Sequence, residues 1–93
     1  MNRSELLSAL KLDKFIAFDF ETTGLDVTND RPIEVAAVLF DYVKPTDRFC
    51  TLINPRIPIS NLIQEITGIT NDMVNDAPLE KDVIDDLLRF LGN

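Results

Sequence analysis

Two carboxylates interrupt a stretch that otherwise belongs in a protein interior. Residues 15–20 read Phe-Ile-Ala-Phe-Asp-Phe, and Glu21 follows directly. The run is aromatic and branched, and too short to span a membrane, so it predicts a buried strand over residues 14–21. Side chains alternate along a strand. Asp19 and Glu21 therefore share one face, with Cα atoms about 6.6–6.8 Å apart, while Phe18 and Phe20 take the other. A buried carboxylate needs a counter-charge, hydrogen bonds or a metal ion. Two readings are open. In one, the acids sit at a strand end in water and Thr22-Thr23-Gly24 is only a turn. In the other, the acids form a divalent-cation site. Oxygen-only ligands suit Mg²⁺ or Mn²⁺, which bind few carboxylates and keep waters or phosphates elsewhere. Thr22 and Thr23 place hydroxyl and N–H groups beside the acids, and Gly24 permits a turn closed to other residues.

The wording of this stretch has a parallel. Phe18-Asp-Phe-Glu-Thr-Thr-Gly-Leu25 resembles the first motif of the DEDD-type 3′–5′ exonucleases, the group that includes the proofreading subunits of bacterial replicative polymerases and ribonuclease T. Arg31-Pro-Ile-Glu-Val-Ala-Ala-Val38 is similar to the family's second strand. Leu52-Ile-Asn-Pro55, then Ile66-Thr-Gly-Ile-Thr-Asn-Asp-Met-Val74 and Asp76-Ala-Pro78, resemble its third strand and the helical segment after it. The likeness runs from Lys14 to the last residues.

The resemblance implies an α/β, ribonuclease H-like fold and hydrolysis of phosphodiesters with two Mg²⁺ or Mn²⁺ ions. Asp19 would bridge both ions and Glu21 would hold the one that activates water. Thr22, Thr23, Gly24 and Leu25 would grip the terminal nucleotide of a single-stranded 3′ end, and Ile69 would wedge against its last bases. A DNA polymerase is the implied partner. The family takes two more aspartates and a histidine or tyrosine base from later motifs. This sequence has no histidine. The expectation is therefore that residues 1–93 form the amino-terminal half of one exonuclease domain, truncated before its later strands, and weakly active or inactive alone. The alternative is a non-catalytic remnant, a metal- or protein-binding oligomerisation module. Without a fourth strand, residues 15–20 become an exposed apolar edge and helix 79–91 loses cover on one face. Such surfaces predict a homo-oligomer.

Bulk properties narrow the rest. A chain of 93 residues, 45% hydrophobic and 27% charged, is one globular domain near the small end of what folds alone. It carries no membrane span and no secretory signal, which makes the cytoplasm the expected compartment. The lone Cys50 reads as a buried structural thiol. A net charge of −7 argues against tight binding of nucleic acid by a basic patch. It leaves metal-dependent chemistry open, since a cation stands between acidic protein and phosphate.

In chain order, residues 1–12 hold a leading helix over 4–11, with Ser4 as N-cap and Leu6, Leu7 and Leu10 on one face. Residues 14–54 form a three-stranded antiparallel meander, because the links are too short for crossovers. Strand two, over 33–42, is too uniformly apolar at 35–40 to have a face in water, and so is central. Glu34 at its start reads as a solvated strand end or as an outer-shell carboxylate near the metals. Residues 43–47 make a tight connection to strand three at 48–53. Residues 60–91 are helical. A short helix spans 61–66, with Asn61 and Gln64 at capping-box spacing and Gly68 as its stop. Thr70 caps a turn through Val74. A final helix, 78–91, has an apolar stripe of Val83, Ile84, Leu87, Leu88 and Leu91 predicted to face the sheet.

Overall fold

The structure is a computed structural model that describes residues 2–9, 14–26 and 28–92. The order is α1 (Arg3–Ala9), β1 (Lys14–Thr22), β2 (Pro32–Asp41), β3 (Lys44–Leu52), α2 (Asn61–Thr67), α3 (Asn71–Asn75) and α4 (Glu80–Leu91). The strands form the expected antiparallel meander in the order β1-β2-β3. β2, the most apolar strand, is central.

Several boundaries differ from the sequence reading for local reasons. The turn between β2 and β3 is only Tyr42 and Val43, and Tyr42 takes φ 58°. β3 starts at Lys44 and includes Pro45. An edge strand tolerates proline because its missing N–H would face solvent. α1 begins before Ser4, and Asn2 supplies the cap, its Oδ1 accepting from the Glu5 N–H at 2.8 Å. The predicted helical positions Leu10 and Lys11 lie outside the described residues, and Leu6 is exposed rather than laid on the sheet. Ser60, not Asn61, caps α2, accepting from the Ile63 N–H. Gly68 ends that helix at φ 76°, a left-handed conformation that glycine adopts without a Cβ clash. Thr70 caps α3 as expected.

The core lies on one face of the sheet. Ile33, Val35 and Ala37 alternate inward along β2. Val35 packs with Ile53 and with Val83 of α4, flanked by Phe49 and Leu87. Ile33 packs with Ile59, Ile69 and Val74 beneath α2 and α3. Burial of these branched side chains is the main force holding the helices on the sheet.

The opposite face is only partly covered among the described residues. Ala36, Val38 and Phe40 are intermediate in exposure, which corrects the expectation that β2 is buried on both faces. Cys50 pairs with Ala36 on this face and is exposed, not a buried structural thiol. The stripe of α4 is split in the same way. Val83 and Leu87 turn to the sheet, whereas Ile84 and Leu88 are exposed. β1 lies at the sheet edge, with Phe18 and Phe20 stacked on each other and about half exposed (47% and 50%). The sequence reading anticipated both the bare edge and the bare helix face. No helix among the described residues is long and apolar enough to cross a membrane.

Candidate active site

Register decides which side chains meet. Asp19 stands opposite Ala36, and Glu21 opposite Glu34. Opposed residues in an antiparallel ladder share a face. Asp19 and Glu21 therefore project from the partly covered face, away from the Val35 core, as their spacing predicts. Glu34 joins them on that face. Immediately afterwards the register slips, since Glu21 pairs with Glu34 but Thr22 pairs with Pro32. The extra residue is Ile33, fully buried. The bulge therefore bends the start of β2, beside the loop that follows β1, a common device near functional sites.

That loop is tied from within. Thr23 is only 8% exposed. Its hydroxyl donates to Asp30 Oδ1 at 2.8 Å and accepts from the Arg31 N–H at 3.0 Å, and its own N–H donates to the Arg31 carbonyl at 2.9 Å. Asp30 Oδ2 accepts from the Asp26 N–H at 2.8 Å. Asp26 in turn accepts from the Thr28 and Asn29 N–H groups and from Asn29 Nδ2. Those bonds, the Thr28 N–H first, hold the Asp26 carboxyl below its usual range. Thr22 Oγ1 folds back on Gly24, donating to its carbonyl and accepting its N–H.

Gly24 is needed for a different reason from the one expected. Its φ is not left-handed. A Cβ there would lie 2.5 Å from Asp30 Oδ2, so close approach excludes a side chain. Asp30 is a residue the sequence reading did not single out. Its spacing of seven from Thr23 gave no signal, because the loop's closure brings them together.

Beside the turn lies a hollow of about 430 Å³. Glu21, Thr22 and Gly24 form one side, and α2 forms the other through Leu62, Ile63, Ile66 and Thr67. Leu62 and Ile66, 64% and 69% exposed, are an i,i+4 apolar pair turned away from the core. Leu25 also borders it and is fully exposed. Ile69 does not line this hollow. It is 4% exposed and packs with Ile33, Ile59 and Val74, so the proposed wedge is a core residue. Gly68 turns the chain between Thr67 and Ile69, sending the latter inward. The neighbouring apolar residues on α2's outer face were legible only as helix positions until the fold showed which side was open.

Asp19 and Glu21 form no ion pair and accept no side-chain hydrogen bond among the described residues. No group of three or more potential ligands converges among them either. The donors present are thus two uncommitted carboxylates on one face, with a third opposite Glu21. Hard oxygen donors with spare lone pairs fit a divalent cation.

This three-stranded antiparallel meander with helices packed on one face is the framework of ribonuclease H-like DEDD exonucleases. The nuclease domain of 3'hExo, a DEDDh family member solved bound to rAMP, superposes with TM-score 0.76 at 25% identity, over 86% of this chain and 44% of that one. An exonuclease family model of the ribonuclease T type matches residues 16–93. The chain belongs to that exonuclease family, of the DEDD 3′–5′ type. It is similar to the PolC-type DNA polymerase III of Caldanaerobacter subterraneus subsp. tengcongensis, 48% identical over 77 residues, and to the DNA polymerase III subunit epsilon of Treponema pallidum, 43% identical over 77 residues. Each alignment takes in 83% of this chain. It spans only 6% of the polymerase and 36% of the epsilon subunit. DEDD exonucleases generally use divalent metal ions.

Proposed function

We propose that this chain is the amino-terminal half of a 3′–5′ exonuclease domain that removes nucleotides from a single-stranded 3′ end in a proofreading or trimming role, with a DNA polymerase as partner. The observation that carries this reading is the placement of Asp19 and Glu21. Both project from one sheet face, uncommitted, and Glu21 also lines a hollow whose far wall is apolar.

Asp19 and Glu21 would hold Mg²⁺ or Mn²⁺. Two such ions supply an activated water and stabilise the leaving oxygen in phosphodiester hydrolysis. Leu25, Leu62 and Ile66 offer apolar surface to the terminal base. Thr22 and Gly24 set the turn that brings Leu25 and Glu21 to the same hollow, and Thr23 fixes that turn through Asp30. Thr23's contribution is therefore to hold the grip in shape. Two carboxylates without a general base leave the chain alone weakly active or inactive.

The test compares the chain with Asp19→Ala in two measurements, Mn²⁺ binding by calorimetry and nucleotide release from a 3′-labelled single strand in Mn²⁺. Loss in the variant of Mn²⁺ binding, and of any nucleotide release the chain shows, supports the reading. Equal Mn²⁺ binding by both proteins overturns it.

A second reading rests on the bare surfaces. Phe18 and Phe20 on the β1 edge, and Ile84 and Leu88 on α4, favour self-association, through either the strand or the helix face.

A further inference from the structure

Lysine and arginine are scarce in this chain, nine against sixteen acids, yet the fold gathers three of them. Arg31, Arg56 and Lys81, separated by 25 residues at each step of the sequence, line one cleft of about 460 Å³. It lies where the start of β2, the segment after β3 and the start of α4 meet. Asn54 holds the junction, bridging to Leu79 and donating its N–H to the Pro78 carbonyl at 2.9 Å. Glu80 is the single acid on the wall.

None of the three cations forms an ion pair among the described residues. Arg31 is steadied by its own backbone, Nη1 donating to the carbonyls of Thr28 and Asp30 at 3.1 Å each. Arg56 is held at φ 60°, its N–H donating to Asn54 Oδ1 at 2.9 Å. Three cations converging without ion-pair partners, in a protein of net charge −7, repel one another. An anion in the cleft would offset that repulsion.

We infer that this cleft binds backbone phosphates of the nucleic-acid strand whose 3′ end reaches Asp19 and Glu21. The inference rests on the nuclease reading above. The loop after β1 links the two places, because the Arg31 backbone exchanges hydrogen bonds with Thr23, which stands between Thr22 and Gly24 of the hollow. Arg31 belongs to that loop, and Arg56 and Lys81 line the cleft with it. Guanidinium groups suit phosphate through paired N–H donors, and the lysine adds a point charge. The acidic surface elsewhere would guide the strand to this cleft by exclusion.

The experiment titrates the chain with a short oligodeoxythymidylate carrying a phosphorothioate at its last linkage, in Mg²⁺, and reads amide shifts and salt dependence. Arg56→Ala/Lys81→Ala is the variant. Lys44→Ala/Arg48→Ala, on β3, removes the same charge elsewhere. Expected are shifts at Thr22–Leu25 and at Arg56 and Lys81. The cleft variant should bind about tenfold more weakly, with its log K–log[salt] slope reduced by about 0.7 for each phosphate it no longer neutralises, and the control should keep most of both. Shifts at the turn without shifts at the cleft, or equal losses in the two variants, overturn the cleft and leave the nuclease reading standing. Shifts at the cleft alone support the phosphate site and count against the nuclease reading. No shifts at either place overturn both.

Discussion

Glu21 stands directly across the β1–β2 ladder from Glu34, so two carboxylates share one cross-strand position. Like charges placed this way cost about 0.2–1 kcal/mol. Glu34→Gln is therefore expected to raise the melting temperature of the metal-free chain. A cation held by Asp19 and Glu21 relieves the same repulsion, so the gain should shrink when Mn²⁺ is present. Calorimetric melting of both proteins, with and without Mn²⁺, checks this. An equal gain in both conditions would mean that no cation binds near Glu21.

Thr23 and Asp30 are expected to act as one unit. Thr23→Val leaves the Arg31 N–H and Asp30 Oδ1 without the hydroxyl that serves both, and should cost about 1–3 kcal/mol. Much of the loss from Asp30→Ala should be the same loss. Urea unfolding of the two single variants and the double variant measures the coupling, which should be about 0.5 kcal/mol or more. Strict additivity would show that the loop is held by other means.

Acid should loosen the loop at a particular carboxyl. Asp26 titrates below its usual value in the folded chain because the Thr28 and Asn29 donors favour its charged form. The folded state thus binds fewer protons at Asp26 than the unfolded state. Its contribution is complete above the unfolded pKa of about 3.9 and is lost as pH falls through the lower folded value. Carboxyl-carbon NMR should place Asp26 below the unfolded value of about 3.9, and Asp26→Asn should flatten this part of the acid-unfolding curve. A titration of Asp26 at or above that unfolded value would contradict the hydrogen-bonded turn.

The bare edge yields a fourth expectation. At micromolar concentration the chain should sediment above its monomer mass. Phe18→Lys/Phe20→Lys, which puts charge on the β1 edge, should shift it toward monomer. If Ile84→Lys/Leu88→Lys has that effect instead, the contact is through α4. A wild-type chain that sediments as a monomer would end the self-association reading.

The strand alternation that places Asp19 and Glu21 on one face is a property of consecutive residues, and so are the stop at Gly68 and the cap at Thr70. These were legible in the sequence because period and turn chemistry act over a few residues. Tertiary structure decided which surfaces are covered. It buried Ile69, exposed Cys50, and divided the α4 stripe between Val83 and Ile84. It also turned Leu62 and Ile66 toward the hollow and drew Arg31, Arg56 and Lys81 to one cleft. Coverage depends on what packs from elsewhere in the chain, and charge convergence depends on where three separate segments end. A local pattern carries no information about either.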